Sequence, residues 1–122
     1  MEKIRVLIID DDVEGSLLLK EDLEQTGMYE VFEESRGLMA LKAVRQFTPD
    51  IVLLDIIIPD LDGPSIAAQI EAAYLSPKPL IIFLSSIVFP EEAEKGTIGG
   101  YSFMSKDSSR EDTRRILATL AA

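Results

Sequence analysis

The chain has 122 residues, 47% of them hydrophobic and 28% charged, and a formal net charge of −10; this describes one folded domain over 1–122, not a disordered segment. It contains no cysteine and no histidine, which removes disulfides, thiol chemistry, the commonest general base and the commonest transition-metal ligand together. The acidity argues against a nucleic-acid backbone or an anionic membrane as a direct partner. With no long apolar segment at its start, the chain is expected in the cytoplasm.

The first predicted element is the apolar run "IRVLII" (4–9), which passes directly into Asp10, Asp11 and Asp12. Adjacent carboxylates behind a strand are either a solvated acidic turn or a site built to hold a cation. A helix is predicted over 13–26, carrying Leu17, Leu18 and Leu23 with Gly27 as its stop, and Asp12 is placed to cap it. "YEVFEE" (29–34) reads as a polar edge strand, followed by a helix over 37–47 with Leu38, Leu41 and Val44. "DIVLLD" (50–55) is a buried strand closed by Asp55, and Asp60 and Asp62 behind Pro59 read as turn residues. A third helix starts at Gly63 and Pro64 and carries Ile66, Ile70 and Tyr74 at helical spacing. The strand "LIIFL" (80–84) leads into Ser85 and Ser86. "PEEAEKG" (90–96) allows only about two helical turns, so a fourth helix is short or irregular, and the glycines of "TIGG" read as loop. "YSFMS" (101–105) is the last strand, followed by Lys106 and a helix over 108–121 with Thr113, Ile116, Leu117 and Leu120 on one stripe.

Strand and helix alternate throughout, which predicts an α/β doubly wound parallel sheet with helices on both faces. In such a sheet the C-terminal strand ends share one edge, where ligands bind. Asp10, Asp11, Asp55, Ser85 and Lys106 are thereby expected on one rim. Three carboxylates there repel one another unless one is protonated or a cation binds. Oxygen ligands without His or Cys select a hard cation, Mg²⁺ before a transition metal. Lys106 offers a compact positive charge and Ser85 a neutral donor for a phosphoryl group, and a carboxylate can serve as its acceptor.

"RVLIIDDD", "PDIVLLDIIIPDLDG", "IIFLSS" and "YSFMSKD" resemble, in order and spacing, the signature blocks of response-regulator receiver domains of two-component signalling. The block from Asp55 through Pro59, Asp62 and Gly63 is the most specific. The resemblance implies a flavodoxin-like five-stranded parallel sheet in the order 2-1-3-4-5. It implies a cytoplasmic switch with Asp55 as phosphoacceptor and Mg²⁺ held by Asp11, by Asp10 through water, by Asp55 and by the Ile57 carbonyl. Ser85, with Ser86 beside it, and Lys106 would bind the phosphoryl group, and Phe103 would be a switch aromatic acting through packing alone. A sensor histidine kinase or histidine phosphotransfer protein would supply the phosphoryl group, and an output domain or protein would read the result. Asp107 stands where the family often has proline, so a trans bond is expected there. Ile57 and Ile87 would flank the phosphorylated site; neither can orient a water, so slow self-dephosphorylation is expected.

Two other readings compete. A receiver-like docking module that is never phosphorylated would share the fold. An Mg²⁺-dependent phosphohydrolase of the haloacid dehalogenase type would need a second Asp two residues after the nucleophile, where this chain has Ile57. A flavodoxin-like cofactor binder is disfavoured because three acids after the first strand would repel its phosphate.

Overall fold

The computed structural model describes residues 2–86, 97–106, 115 and 117–118. Its sheet begins with β1 (Ile4–Ile9), whose last four residues are fully buried, as a run of Val, Leu and Ile covered on both faces must be. Helix α1 (Val13–Gln25) follows, capped by Asp12, which accepts from the Gly15 amide at 3.0 Å. Gly27, just past its end, has a φ of +77°, a conformation glycine adopts without strain. β2 (Tyr29–Glu34), a 3₁₀ turn (Gly37–Met39), α2 (Ala40–Phe47) and β3 (Ile51–Asp55) come next. α3 (Gly63–Ala72) is capped by Asp62, which accepts from the Ser65 amide at 2.8 Å, and β4 (Leu80–Ser85) completes the buried strands.

The predicted parallel strands stand in the predicted order, and the structure adds one. The sheet has six strands in the order β2-β1-β3-β4-β6-β5, with β6 (Tyr101–Ser105) as the expected fifth strand. The extra strand, β5 (Thr97–Ile98), pairs antiparallel with β6 across Gly99 and Gly100, whose φ values are +57° and +86°. Positive φ at both central positions is what a tight type I′ hairpin requires, and Gly-Gly supplies it. "TIGG" is thus a hairpin where the sequence suggested loop.

Alternation along the strands sends side chains to two cores. Leu7, Ile9, Val52, Leu54, Ile81 and Phe83 pack with Ala43 and Val44 of α2 and Ile66 and Ile70 of α3. Val6, Ile8, Leu53, Ile82, Leu84 and Met104 pack on the other face with Leu23 of α1 and with Leu117, which lies in a helical stretch near the C-terminus. Four apolar residues on the predicted stripes depart from this plan, among them Leu38, which is exposed in the 3₁₀ turn before α2. Tyr74 lies beyond the end of α3, at a positive φ of 49°, and is 90% exposed, while Leu17 and Leu18 face solvent on α1. The expectations for 87–96, for Asp107 and for most of the last helix lie outside the described residues.

Candidate functional site

The site is made by where β1, β3, β4 and β6 stop. Asp10 directly follows β1, and its backbone N–H still donates to the Glu34 carbonyl at 3.1 Å, so the chain turns only after it. Its Oδ1 accepts from the Asp12 amide at 2.9 Å, which fixes the carboxylate and starts the turn into α1. Asp55 is the last residue of β3 and lies beside Leu84 of β4; Ser85 pairs with Ser105 across to β6. The Lys106 amide donates to the Ser85 carbonyl at 2.9 Å, continuing the ladder by one step and holding the lysine at the rim.

Four of the predicted residues converge. Asp10, Asp11 and Asp55 each present an oxygen within 4.8 Å of the others. Lys106 Nζ stands 2.8 Å from Asp10 Oδ2 and 3.1 Å from Asp55 Oδ2. Asp10 and Asp55 are buried, whereas Asp11 opens to solvent. Burial pushes the Asp55 carboxyl up to about 6; the Lys106 hydrogen bond opposes this, Asp10 adds to it, and the Ile57 amide opposes it further. Burial also disfavours the Lys106 ammonium, but the two carboxylates that accept from it raise its pKa overall.

This donor set suits a hard dication. Three carboxylates face one ammonium, so the cluster retains negative charge at a point partly withdrawn from water, and every oxygen is of the type Mg²⁺ takes. The Ile57 amide donates to Asp55 Oδ1 at 3.2 Å, which ties the residue whose carbonyl is the remaining predicted ligand to the acceptor carboxylate. Ile57 is itself 73% exposed beside Asp55. Ser85 is buried at the same rim and Ser86 is exposed one step beyond it. Phe103 is not among the acids. It lies within β6 opposite Phe83, half-buried against the core that α2 and α3 cover. One contributor passed over in the sequence is the closeness of Gly63 to the acceptor strand. A Cβ there would lie 2.5 Å from the Asp55 carbonyl oxygen and 2.8 Å from Ile56 Cα, so only glycine lets α3 begin this near Asp55.

Comparison with known proteins identifies the family. The response regulator receiver domain family matches residues 6–118. The chain belongs to that family. Over 120 residues it is 32% identical to the alkaline phosphatase synthesis transcriptional regulatory protein PhoP of Bacillus subtilis, covering 95% of this chain and 48% of that protein. It is 39% identical over 67 residues to sporulation initiation phosphotransferase F of the same organism, covering 55% of this chain and 53% of the relative. The matched region thus spans about half the length of these relatives. The receiver domain of the putative response regulator NarL from Mycobacterium tuberculosis superposes with a TM-score of 0.85 at 27% identity, covering 99% of this chain and 98% of that one. Vibrio cholerae chemotaxis protein CheY4 shares the fold, with a TM-score of 0.78 at 23% identity over 97% of this receiver and 98% of its own chain. Receivers bind Mg²⁺ in an acidic pocket and work between histidine kinases or phosphotransfer proteins and an output. Among the described residues no helix is long and apolar enough to cross a membrane.

Proposed function

We propose that this receiver is a phosphorylation-activated switch in which Asp55 takes a phosphoryl group from a phosphohistidine of a sensor kinase or phosphotransfer protein. An Asp55 carboxylate oxygen forms the new P–O bond, the P–N bond to imidazole breaks, and the donor nitrogen leaves with the electron pair. The observation that carries the reading is the meeting of Asp10, Asp11, Asp55 and Lys106 at one sheet edge. Asp10, Asp11, Asp55 and the Ile57 carbonyl would hold Mg²⁺, which when bound neutralises the carboxylates and the phosphoryl oxygens. Lys106 is poised to turn from the two carboxylates to a phosphoryl oxygen, and Ser85, with Ser86 next to it, to donate a hydrogen bond there. With its carboxyl at about 6, Asp55 is mostly ionised and nucleophilic at neutral pH. Phe103 is the candidate that transmits the change, by repacking beside Phe83 toward an output domain or protein.

Some family relatives are enzymes: a protein-glutamate methylesterase of Rhodospirillum rubrum is 38% identical over 81 residues, which are 21% of its length. That match covers a receiver-sized part of the relative. We therefore read this chain, over 1–122, as a cytoplasmic switch and not as a metabolic enzyme. Ile57 in place of a second Asp speaks against a phosphohydrolase. The reading is tested on a phosphate-affinity gel with a phosphodonor and Mg²⁺. A shifted band that disappears in Asp55→Ala supports it, and an unshifted band favours a docking module that works without phosphate.

The exposed Ile57 side chain also predicts a long phosphoryl lifetime, since it can shade the acyl phosphate but cannot orient a water. Loaded with acetyl phosphate and freed of donor, the protein should hold its phosphoryl group for minutes or longer. Ile57→Asn should shorten that time, and decay within seconds in the parent would contradict the expectation.

A further inference from the structure

Asp60 belongs to the loop between β3 and α3, yet both of its carboxylate oxygens are spent outside that loop. Oδ1 accepts from the Gly37 amide and Oδ2 from the Leu38 amide, each at 2.9 Å. These are the first amides of the 3₁₀ turn that leads into α2, and Arg36, at that turn's N-cap, makes no side-chain capping bond. A carboxylate 23 residues away in sequence caps it instead. The amide of Leu38 first, and that of Gly37 with it, hold the Asp60 carboxyl below the usual carboxylate range, so it stays ionised. The contact is close. Gly37 is buried, and a Cβ on it would lie 2.6 Å from the Leu61 carbonyl oxygen and 3.1 Å from Asp60 Oδ1.

The same loop carries the Ile57 peptide. At its base the Gly63 amide donates to the Ile56 carbonyl at 2.8 Å, and the Ile57 amide donates to Asp55 Oδ1 at 3.2 Å. The Ile57 side chain is largely in solvent, and its carbonyl lies in the peptide shared with Ile58, whose side chain is buried in the core and anchors the near side of the loop. The loop's far anchor is Asp60.

We propose that Asp60 is a positioning residue for the cation site: by clamping the β3–α3 loop to the turn before α2, it fixes the Ile57 carbonyl beside Asp55. The proposal rests on the Mg²⁺-dependent phosphoacceptor reading given above. It implies that the start of α2 and the metal site are mechanically linked, although no residue of α2 reaches the metal.

The test is an Mg²⁺ titration followed at the Ile57 amide by two-dimensional NMR, with the melting temperature of each protein measured without metal. Asp60→Ala should weaken Mg²⁺ binding about fivefold to tenfold, near the low end for residues that orient a ligand from outside the first sphere. Asp60→Asn keeps one acceptor oxygen and should fall between parent and Asp60→Ala; it also carries the test if Asp60→Ala folds poorly. Asp62→Ala removes a comparable cap, that of α3, and should lower the melting temperature with Mg²⁺ affinity within about twofold of the parent. Unchanged affinity in both Asp60 variants, or equal losses in Asp60→Ala and Asp62→Ala, would overturn the proposal and leave the clamp as a stabilising contact only. A parent that binds no Mg²⁺ would overturn the reading of the site, and the proposal with it.

Discussion

The two edges of the sheet both carry charged groups and treat them in opposite ways. At the edge where the strands begin, Arg5 donates from Nε and Nη2 to the Phe47 carbonyl at 2.9 and 2.6 Å. Its guanidinium lies 4.9 Å from the centre of the Phe32 ring, which stacks on Phe47. Asp50 accepts from the Arg5 amide at 2.8 Å, and its own amide and carbonyl bond Arg5 and Leu80. Charge and backbone there are matched by the protein itself. At the edge where the strands end, three carboxylates gather, the one ammonium pairs with Asp10 and Asp55, and burial holds Asp55 near 6. The first edge is finished by folding, and the second is left for something else to finish. That difference, more than the presence of acids, distinguishes a site from a surface.

Four substitutions break or sharpen this contrast, and the largest effect is expected from Asp11→Ala. It removes the exposed carboxylate of the unfinished edge and should cut Mg²⁺ affinity about a hundredfold or more, measured by the same titration, with little change in the apo melting temperature. Arg5→Ala strikes the finished edge and should do the reverse. It removes two hydrogen bonds and the stacking contact, and should cost about 1–3 kcal/mol of stability in urea unfolding without altering Mg²⁺ affinity. Asp12→Ala, one residue from the metal ligands, should cost about 1 kcal/mol through the lost N-cap and leave Mg²⁺ binding in place.

The smallest effect concerns pH. The folded protein holds the Asp55 proton more tightly than the unfolded chain, its value rising from 3.8 to about 6. The resulting stability is full at low pH and is lost as pH climbs through that interval. Without Mg²⁺, Asp55→Asn should therefore be more stable than the parent at pH 7.5, by about 1 kcal/mol after discounting for the open rim. The gain should disappear below pH 4. Added Mg²⁺ should stabilise the parent at pH 7.5 far more than at pH 5, where Asp55 is largely protonated.

Much of this site was legible in the sequence because a parallel sheet turns sequence pattern into position. Continuous Val, Ile and Leu runs marked β1, β3 and β4, and the residues just after them had to share an edge. Asp10, Asp11, Asp55 and Lys106 followed from that rule alone, before any distance was known. Asp12 and Asp62 were legible as a cap and a turn residue because capping is local. The hairpin at 97–102 was missed because two-residue strands show no periodicity, although Gly-Gly between short runs is itself a hairpin signal. Tyr74 was placed on a buried stripe by spacing, yet α3 stops at Ala72 and leaves it outside. Asp60 was read as a plain turn residue since its partners, Gly37 and Leu38, lie in another loop. No local pattern could have joined them.

The central claim is that the unfinished edge takes a phosphoryl group on Asp55 with Mg²⁺. Intact-mass spectrometry after incubation with acetyl phosphate tests it most directly. The account predicts the gain of a single phosphoryl group in the presence of Mg²⁺, and no gain when Mg²⁺ is chelated before the donor is added or in Asp55→Ala. A gain that persists in Asp55→Ala, or no gain in the parent with Mg²⁺ present, would contradict it.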